Sequence, residues 1–354
     1  MHYVLVATFC TTLLLQLSCP TSAPQSVETS GHSPAVRGLT LVAPPSPFAE
    51  DPMPAIQAVH ANWVALVPYG FSRKGQTTVS FNTERQWWGE REAGIKKSVA
   101  LAKNAGIKVM LKPQVWSHNW WTGDYDFSTE AEWAKWEQAY RTYILFYAEL
   151  AEALEVDLFA VGTEFKVSVR KRPSFWSDLI SDVRKVCDAP LTFAANWDNY
   201  ANIPFWKDLD YVGINAYFPL CPEKTPTVSA LKKLWQPILK EVDDFHQTVQ
   251  KPILFTEYGY LSVDACAHKT WELEARVKST PINEQAQANA LEALYRVWST
   301  RPYWEGGFLW KWFPGGQGHE GYPERDYTPQ GKQAEKTITS FFKSWADSAP
   351  QSPE

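Results

Sequence analysis

The sequence lacks the signatures of several common site types. It has only five cysteines in 354 residues and no C-x-x-C pair, which argues against a metal knuckle or a thioredoxin-like site. H-E-x-x-H and G-x-S-x-G are both absent, so neither a catalytic metal nor a serine hydrolase is supported, and we expect no cofactor. Lys and Arg total 34 against 39 Asp and Glu. Without a basic excess to neutralise phosphates, nucleic acid is not an expected partner.

Charged side chains are also missing from the N-terminus. Residues 1–23 contain no Lys, Arg, Asp or Glu, and the apolar run Val4–Leu17 falls short of the ~20 residues that span a bilayer as a helix. This pattern predicts a signal peptide ending at Ala23, and therefore an exported protein without a transmembrane span. A lipid anchor at Cys19 is the alternative. Residues 24–34 then form a flexible tether.

Aromatic residues are abundant, with 18 Trp, 15 Tyr and 18 Phe. A tryptophan ring is apolar on its face and polar at one edge, so it suits an amphipathic ligand such as a sugar ring. Packing in the core is the alternative for each ring taken singly. The composition therefore favours a carbohydrate ligand without identifying the rings that bind it.

Short β-rich runs alternate with longer amphipathic stretches eight times. The predicted strands are Val36–Val42, Trp63–Pro68, Lys108–Lys112, Leu158–Val161, Leu191–Ala195, Tyr211–Asn215, Ile253–Phe255 and Gly307–Trp310. The predicted helices are Glu90–Ala105, Ala131–Leu154, Pro173–Cys187, Ala230–Val249, Pro281–Thr300 and Lys332–Trp345, with weaker ones near Pro54–His60 and Pro204–Lys207. Eight such units predict one α/β domain over 35–347, a (β/α)8 TIM barrel, and a disordered tail over 348–354.

Two carboxylates interrupt apolar strand ends in this layout. Glu164 follows the fourth strand and Glu257 ends the seventh. A carboxylate beside buried strands is costly unless it is satisfied, and pairing with a neighbouring Lys or Arg would account for either one alone. Active sites of barrels lie at the C-terminal ends of the strands. There the two groups should come about 5 Å apart, the spacing of retaining glycosidases.

Several short strings resemble glycoside hydrolase family 113, the β-mannanases of clan A. The resemblance covers the chain from Arg37 to about Ile338. It is carried by Val161-Gly162-Thr163-Glu164, Asn196-Trp197, Thr256-Glu257-Tyr258-Gly259 and Tyr327-Thr328-Pro329-Gln330-Gly331-Lys332. The resemblance implies that Glu164 is the acid/base and Glu257 the nucleophile. Thr163 stands where an Asn precedes the acid/base in most of the clan, and family 113 shares this departure.

The resemblance implies a retaining enzyme that cuts β-1,4-mannan or mannooligosaccharides, in an endo or an exo mode. Two alternatives stay open, another clan A β-glycanase such as a glucanase and a carbohydrate-binding protein without activity. The predicted substrate-binding residues are Lys112, Trp116, Trp120, Trp121, Asn196, Trp197, Asn215, Tyr217, Tyr258 and Trp310.

Specific roles are expected for some of these residues. Trp310 should lie beneath the sugar at the cleavage site, and Tyr217 with Asn215 should steady the nucleophile or a sugar hydroxyl. Trp120 and Trp121 lie in a polar loop, where exposed rings suggest a sugar-binding platform.

The remaining expectation concerns the cysteines beyond the predicted leader. Export permits a disulfide, and we expect Cys221 to pair with Cys266 because both fall in loops on one face of the predicted barrel. Cys187 follows a predicted helix, and a free cysteine in such a place is usually a small buried hydrophobe.

Overall fold

A computed structural model describes residues 32–316 and 322–348 of the chain. The predicted signal peptide, most of the predicted tether and the tail beyond Ser348 lie outside the described residues. Within the described helices, none combines the length and the apolar character needed to cross a membrane.

Eight parallel strands close into a barrel, and this confirms the predicted (β/α)8 fold. The barrel order is β1-β10-β9-β8-β7-β6-β4-β2. The strands of the structure are β1 (Val36–Leu41), β2 (Trp63–Leu66), β3 (Tyr69–Phe71), β4 (Lys108–Leu111), β5 (Gln114–Trp116), β6 (Leu158–Thr163), β7 (Leu191–Asn196), β8 (Val212–Asn215), β9 (Ile253–Tyr258) and β10 (Trp304–Trp312). The barrel strands are mostly apolar on both faces because side chains fill the barrel interior and helices cover its outside.

The short strands β3 and β5 form a separate parallel pair above the barrel. Each follows a proline, Pro68 after β2 and Pro113 after β4. Proline cannot donate a ladder hydrogen bond, so each barrel strand stops there and the two chains pair again beyond it. This second sheet was not predicted, and it carries Trp116 at the edge of the barrel mouth.

Helices surround the barrel as expected. They are α1 (Met53–Ala58), α2 (Glu92–Asn104), α3 (Glu130–Ala153), α4 (Lys166–Lys171), α5 (Pro173–Arg184), α6 (Val228–Val249), α7 (Thr270–Glu274), α8 (Glu284–Trp298) and α9 (Gln333–Ser348). The long helix α3 begins at a capping box, in which the Thr129 hydroxyl accepts from the Glu132 amide and the Glu132 carboxylate accepts from the Thr129 amide. The short helices α4 and α7 were not predicted, since five or six residues carry too little periodicity.

Many of the tryptophans pack in the layer between barrel and helices. The tryptophans with almost no exposed surface are Trp136, Trp176, Trp235, Trp298, Trp304 and Trp345. Edge-to-face contacts join several of them, for example Trp298 with Phe255 at 4.7 Å between ring centroids. Such contacts stabilise a core beyond the area they bury. The sugar-binding interpretation therefore applies only to the rings that remain exposed.

The predicted disulfide between Cys221 and Cys266 is not formed, since both residues are free thiols. Their loops do meet, but the contact is made by the main chain, with the amides of Leu220 and Cys221 donating to the Ala267 carbonyl at 2.7 and 3.2 Å. Cys266 is fully buried. Burial raises the pKa of its thiol well above the ordinary value, which suppresses the thiolate that oxidation requires.

Candidate active site

The two carboxylates predicted from strand ends both lie at the barrel mouth. Glu164 directly follows β6, and Glu257 is the next-to-last residue of β9. Glu164 has φ of 61°, a left-handed conformation that costs a residue with a side chain about 1–2 kcal/mol. Its amide donates to the Ala194 carbonyl at 2.9 Å, so the neighbouring strand β7 holds this conformation in place.

Glu164 accepts two hydrogen bonds from neutral donors. Trp121 Nε1 donates to Oε2 at 2.6 Å, and Asn215 Nδ2 donates to Oε1 at 2.9 Å. The pKa of Glu164 is nevertheless raised, first because burial desolvates the carboxylate and second because the negative charge of Glu257 lies nearby; the two hydrogen bonds and Lys112 oppose the rise. A carboxyl group with a raised pKa can carry a proton at higher pH than an ordinary glutamate.

Asn215 connects the two carboxylates. It is fully buried at the end of β8, where its backbone lies in register with Glu257 on the adjacent strand. Its side chain donates to Glu164 and accepts from Thr256 Oγ1 at 2.9 Å. Because the Thr256 bond fixes the orientation of the amide, the NH₂ group points at Glu164, and one residue ties the end of β6 to the end of β9.

Glu257 has different partners. Lys112 Nζ forms a buried ion pair with Oε1, and the Tyr217 hydroxyl donates to Oε2 at 3.0 Å. Lys112 has no exposed surface, and a second bond from its ammonium group reaches Gln114 Oε1 at 3.1 Å. Both oxygens of Glu257 are therefore oriented. Two carboxyl groups in such different surroundings can divide the work of proton donor and nucleophile.

Trp310 lies beside this ion pair at the mouth. Its ring is half-buried, with Lys112 Nζ 5.8 Å from the ring centroid. Gly259 contributes to this placement, because a Cβ atom there would lie 2.5 Å from the Trp310 carbonyl oxygen. The glycine that follows Glu257 and Tyr258 thus allows the chain after β9 to approach β10 closely.

The other predicted tryptophans divide into two groups. Trp121 donates to Glu164, so it belongs to the centre of the site. Trp116 is 50% exposed on β5 and packs against Phe71 at 5.4 Å between centroids, which leaves much of the ring free for a ligand. Trp120 is more enclosed, with Tyr125 at 4.5 Å on one side and Lys74 Nζ 5.6 Å from its ring.

Asn196 ends β7 and Trp197 follows it, on the strand between β6 and β8. Asn196 Nδ2 donates to Asp198 at 2.9 Å, and no bond to Glu164 or Glu257 appears among the described residues. Trp197 lies nearly parallel to Trp271, at 14° and 5.8 Å between centroids. Trp271, 45% exposed on α7, was missed, although an aromatic ring in a polar segment is the same signal that singled out Trp120 and Trp121.

Tyr258 does not reach the mouth, and its prediction as a substrate-binding residue is wrong. The ring is 1% exposed, and its hydroxyl lies 3.0 Å from that of Tyr295 on α8. Successive side chains of a strand point to opposite faces. Because Glu257 points to the mouth, Tyr258 points into the helix layer.

Within residues 32–316 and 322–348, no group of three or more His, Cys, Asp or Glu side chains could hold a metal ion.

Comparison with known proteins identifies the family and the fold. The model of Glycoside Hydrolase Family 113 matches residues 45–332, whereas no curated protein matches the sequence. Among solved structures, a GH113 β-mannanase from Alicyclobacillus acidocaldarius is similar at a TM-score of 0.75 and 23% identity, over 88% of this chain and 98% of that one. A GH113 β-1,4-mannanase gives 0.74 and 23%, over 88% and 99%. A family 5 mannosidase from Rhizomucor miehei gives 0.64 at 9%, over 90% and 95%.

Proposed function

The chain belongs to glycoside hydrolase family 113, and we propose that it is a retaining β-1,4-mannanase that cuts mannan or mannooligosaccharides through Glu164 and Glu257. As a member of that family it is a glycoside hydrolase. The observation that carries the finer proposal is the position of Asn215 between the two carboxylates. Its side chain donates a hydrogen bond to Glu164, and its backbone is in register with Glu257 on the adjacent strand. This arrangement supports two carboxyl groups acting on one anomeric centre.

In the first step Glu257 attacks the anomeric carbon while Glu164 gives its proton to the departing glycosidic oxygen. Lys112 and Tyr217 hold the two oxygens of Glu257, so the nucleophile is oriented before the substrate arrives. The raised pKa of Glu164 favours the protonated form that this step requires.

In the second step Glu164 removes a proton from the water that hydrolyses the glycosyl ester on Glu257. The negative charge of Glu257 is one cause of the raised Glu164 pKa. Esterification removes that charge, so the pKa of Glu164 falls when the intermediate forms. One residue can therefore act as an acid first and as a base afterwards.

The choice of mannan over other β-glycans rests on family membership and on Thr163. Thr163 directly precedes the proposed acid/base, and its hydroxyl is buried without a hydrogen-bond partner among the described residues. The amide that contacts Glu164 comes instead from Asn215. Mannose and glucose differ in the direction of the 2-hydroxyl, and bonds to this hydroxyl strengthen in the transition state of such enzymes. A polymeric substrate also agrees with the proposed export of the protein.

The proposal is tested by incubating the full chain with mannan, glucomannan, cellulose and xylan, measuring new reducing ends and recording the first product by NMR. We expect cleavage of mannan, and a product with β configuration. Glu257→Gln prepared in parallel reports contaminating activity. A first product of α configuration would reject the retaining mechanism, cleavage of cellulose alone would select a glucanase, and binding without product would select a non-catalytic protein.

The parallel pair of Trp197 and Trp271 is proposed as a platform for a sugar distant from the cleavage site. Trp197 follows Asn196, whose backbone is in register with Asn215, and Trp271 lies in the connection that follows β9, so the pair borders the mouth. We expect Trp271→Ala to lower kcat/KM on mannohexaose about 3- to 10-fold, as loss of an aromatic stacking contact does. The same variant should leave kcat/KM on mannotriose unchanged.

Leu234→Ala is the matched control for this platform, since Leu234 is an apolar side chain 39% exposed on the outer helix α6. Leu234→Ala should leave kcat/KM unchanged on both mannohexaose and mannotriose. Equal losses on the short and the long substrate in Trp271→Ala would reject the platform.

A further inference from the structure

Glu274, the last residue of α7, is a third carboxylate on the mouth side of the barrel. Helix α7 lies in the connection from β9 to α8, which leaves the barrel beside Glu257. The Tyr327 hydroxyl donates to Glu274 Oε1 at 2.6 Å. Among the described residues, Glu274 Oε2 accepts no hydrogen bond, so one oxygen of the carboxylate is held while the other is available.

Glu274 is solvent-exposed and has charged neighbours. Its pKa is nevertheless raised, first because surrounding protein desolvates the carboxylate; Asp326 and Glu257 add to the rise, whereas Tyr327 and Lys311 oppose it. Because Glu274 keeps solvent contact, a ligand at the mouth can reach Oε2.

A short chain of contacts connects Glu274 to Glu257. The Tyr327 ring lies 6.1 Å from the Tyr217 ring in an edge-to-face contact, and Tyr217 donates to Glu257. Tyr327 also belongs to the apolar cluster that includes Trp310. Glu274 is thus on the Glu257 side of the mouth.

We propose that Glu274 binds a hydroxyl group of the sugar whose anomeric carbon faces Glu257. The proposal rests on the glycosidase function proposed above, in which Glu257 attacks the anomeric carbon of that sugar. A carboxylate offers only acceptor sites, and a sugar ring presents hydroxyl donors around its edge. Tyr327 orients the carboxylate so that its free oxygen faces the ring.

The test combines Glu274→Gln with deoxygenated substrates. The probe is 4-nitrophenyl β-mannobioside, together with its 2-deoxy, 3-deoxy and 6-deoxy forms altered in the sugar attached to the nitrophenyl group. We expect Glu274→Gln to lower kcat/KM on the parent about 10- to 100-fold, as expected for a lost hydrogen bond to a charged group. One deoxy substrate should be cleaved equally well by both proteins, because it lacks the hydroxyl that Glu274 binds.

Glu272→Gln is the matched control on the same helix, because Glu272 is solvent-exposed and paired with Lys269 at 2.9 Å. Glu272→Gln should have the same kcat/KM as the unaltered protein. A loss in Glu274→Gln that is equal on all four substrates, or no loss at all, would overturn the inference and leave the glycosidase function intact. An unaltered protein that cleaves neither the parent substrate nor mannan would overturn both proposals.

A loss of folding in Glu274→Gln is not expected. Since the pKa of Glu274 is raised in the folded protein, any stability from this group is present at low pH and lost as pH rises through the folded pKa. Replacing the carboxyl group by an amide at pH 7 should therefore not lower the thermal midpoint. Tyr327→Phe is the second variant: combined with Glu274→Gln, it should lower kcat/KM no further than Glu274→Gln alone.

Discussion

Glu257→Gln is expected to lower kcat on mannan by about 10⁴-fold or more, the scale on which loss of a covalent nucleophile acts. The amide keeps the size and shape of the carboxylate but cannot form the glycosyl ester. The same substitution leaves the Lys112 ammonium, which has no exposed surface, without its carboxylate partner. Removing one member of a buried pair costs about 3–5 kcal/mol of folding free energy, so a lower urea midpoint should accompany the loss of activity.

The double variant Lys112→Met with Glu257→Gln separates these two effects. It removes both charges of the buried pair, so the urea midpoint should recover most of what Glu257→Gln alone loses, whereas kcat should stay at the level of the single variant. Activity that returns together with stability would show that Glu257 only supports the fold. Chemical denaturation and single-turnover kinetics on the three proteins decide the matter.

The barrel and its two carboxylates could be predicted because both depend on local pattern. A run of apolar residues that ends in Glu, as in Phe255-Thr256-Glu257, indicates where a strand passes from the barrel interior to the barrel mouth. The same reasoning should have excluded Tyr258, since its side chain lies one residue from Glu257 and must face the opposite side.

The partners of the carboxylates depend on contacts that no local pattern contains. Lys112 and Glu257 are 145 residues apart in sequence, and the roles of Asn215 and Trp121 depend on strand register and on the path of one loop. Trp121 was expected as a platform because its segment is polar, but the segment folds back so that the indole N–H reaches Glu164. The loops of Cys221 and Cys266 were correctly placed together, yet adjacency does not supply the side-chain geometry of a disulfide.

Glu164→Ala should lower hydrolysis of mannan by about 10²- to 10⁴-fold, the usual contribution of a general acid and base. The substrate 2,4-dinitrophenyl β-mannobioside has a good leaving group. Its dinitrophenolate departs without a proton from Glu164. The glycosyl ester on Glu257 should then form normally and accumulate, because no base activates water. Added azide can occupy the space of the missing side chain and attack without a base, so azide should accelerate turnover and give a β-glycosyl azide.

The pH profile provides a second readout for Glu164. In the unaltered protein Glu164 must be protonated for the first step, so kcat/KM on mannan should fall as pH rises through its pKa, and the raised pKa places that fall above the pH expected for an ordinary glutamate. Glu164→Ala should lose this alkaline decline with the dinitrophenyl substrate. An α-glycosyl azide, or turnover indifferent to azide, would assign the acid/base role elsewhere. Because the amide of Glu257→Gln still fills the space of the carboxylate, azide has no room to attack there and should not accelerate this variant.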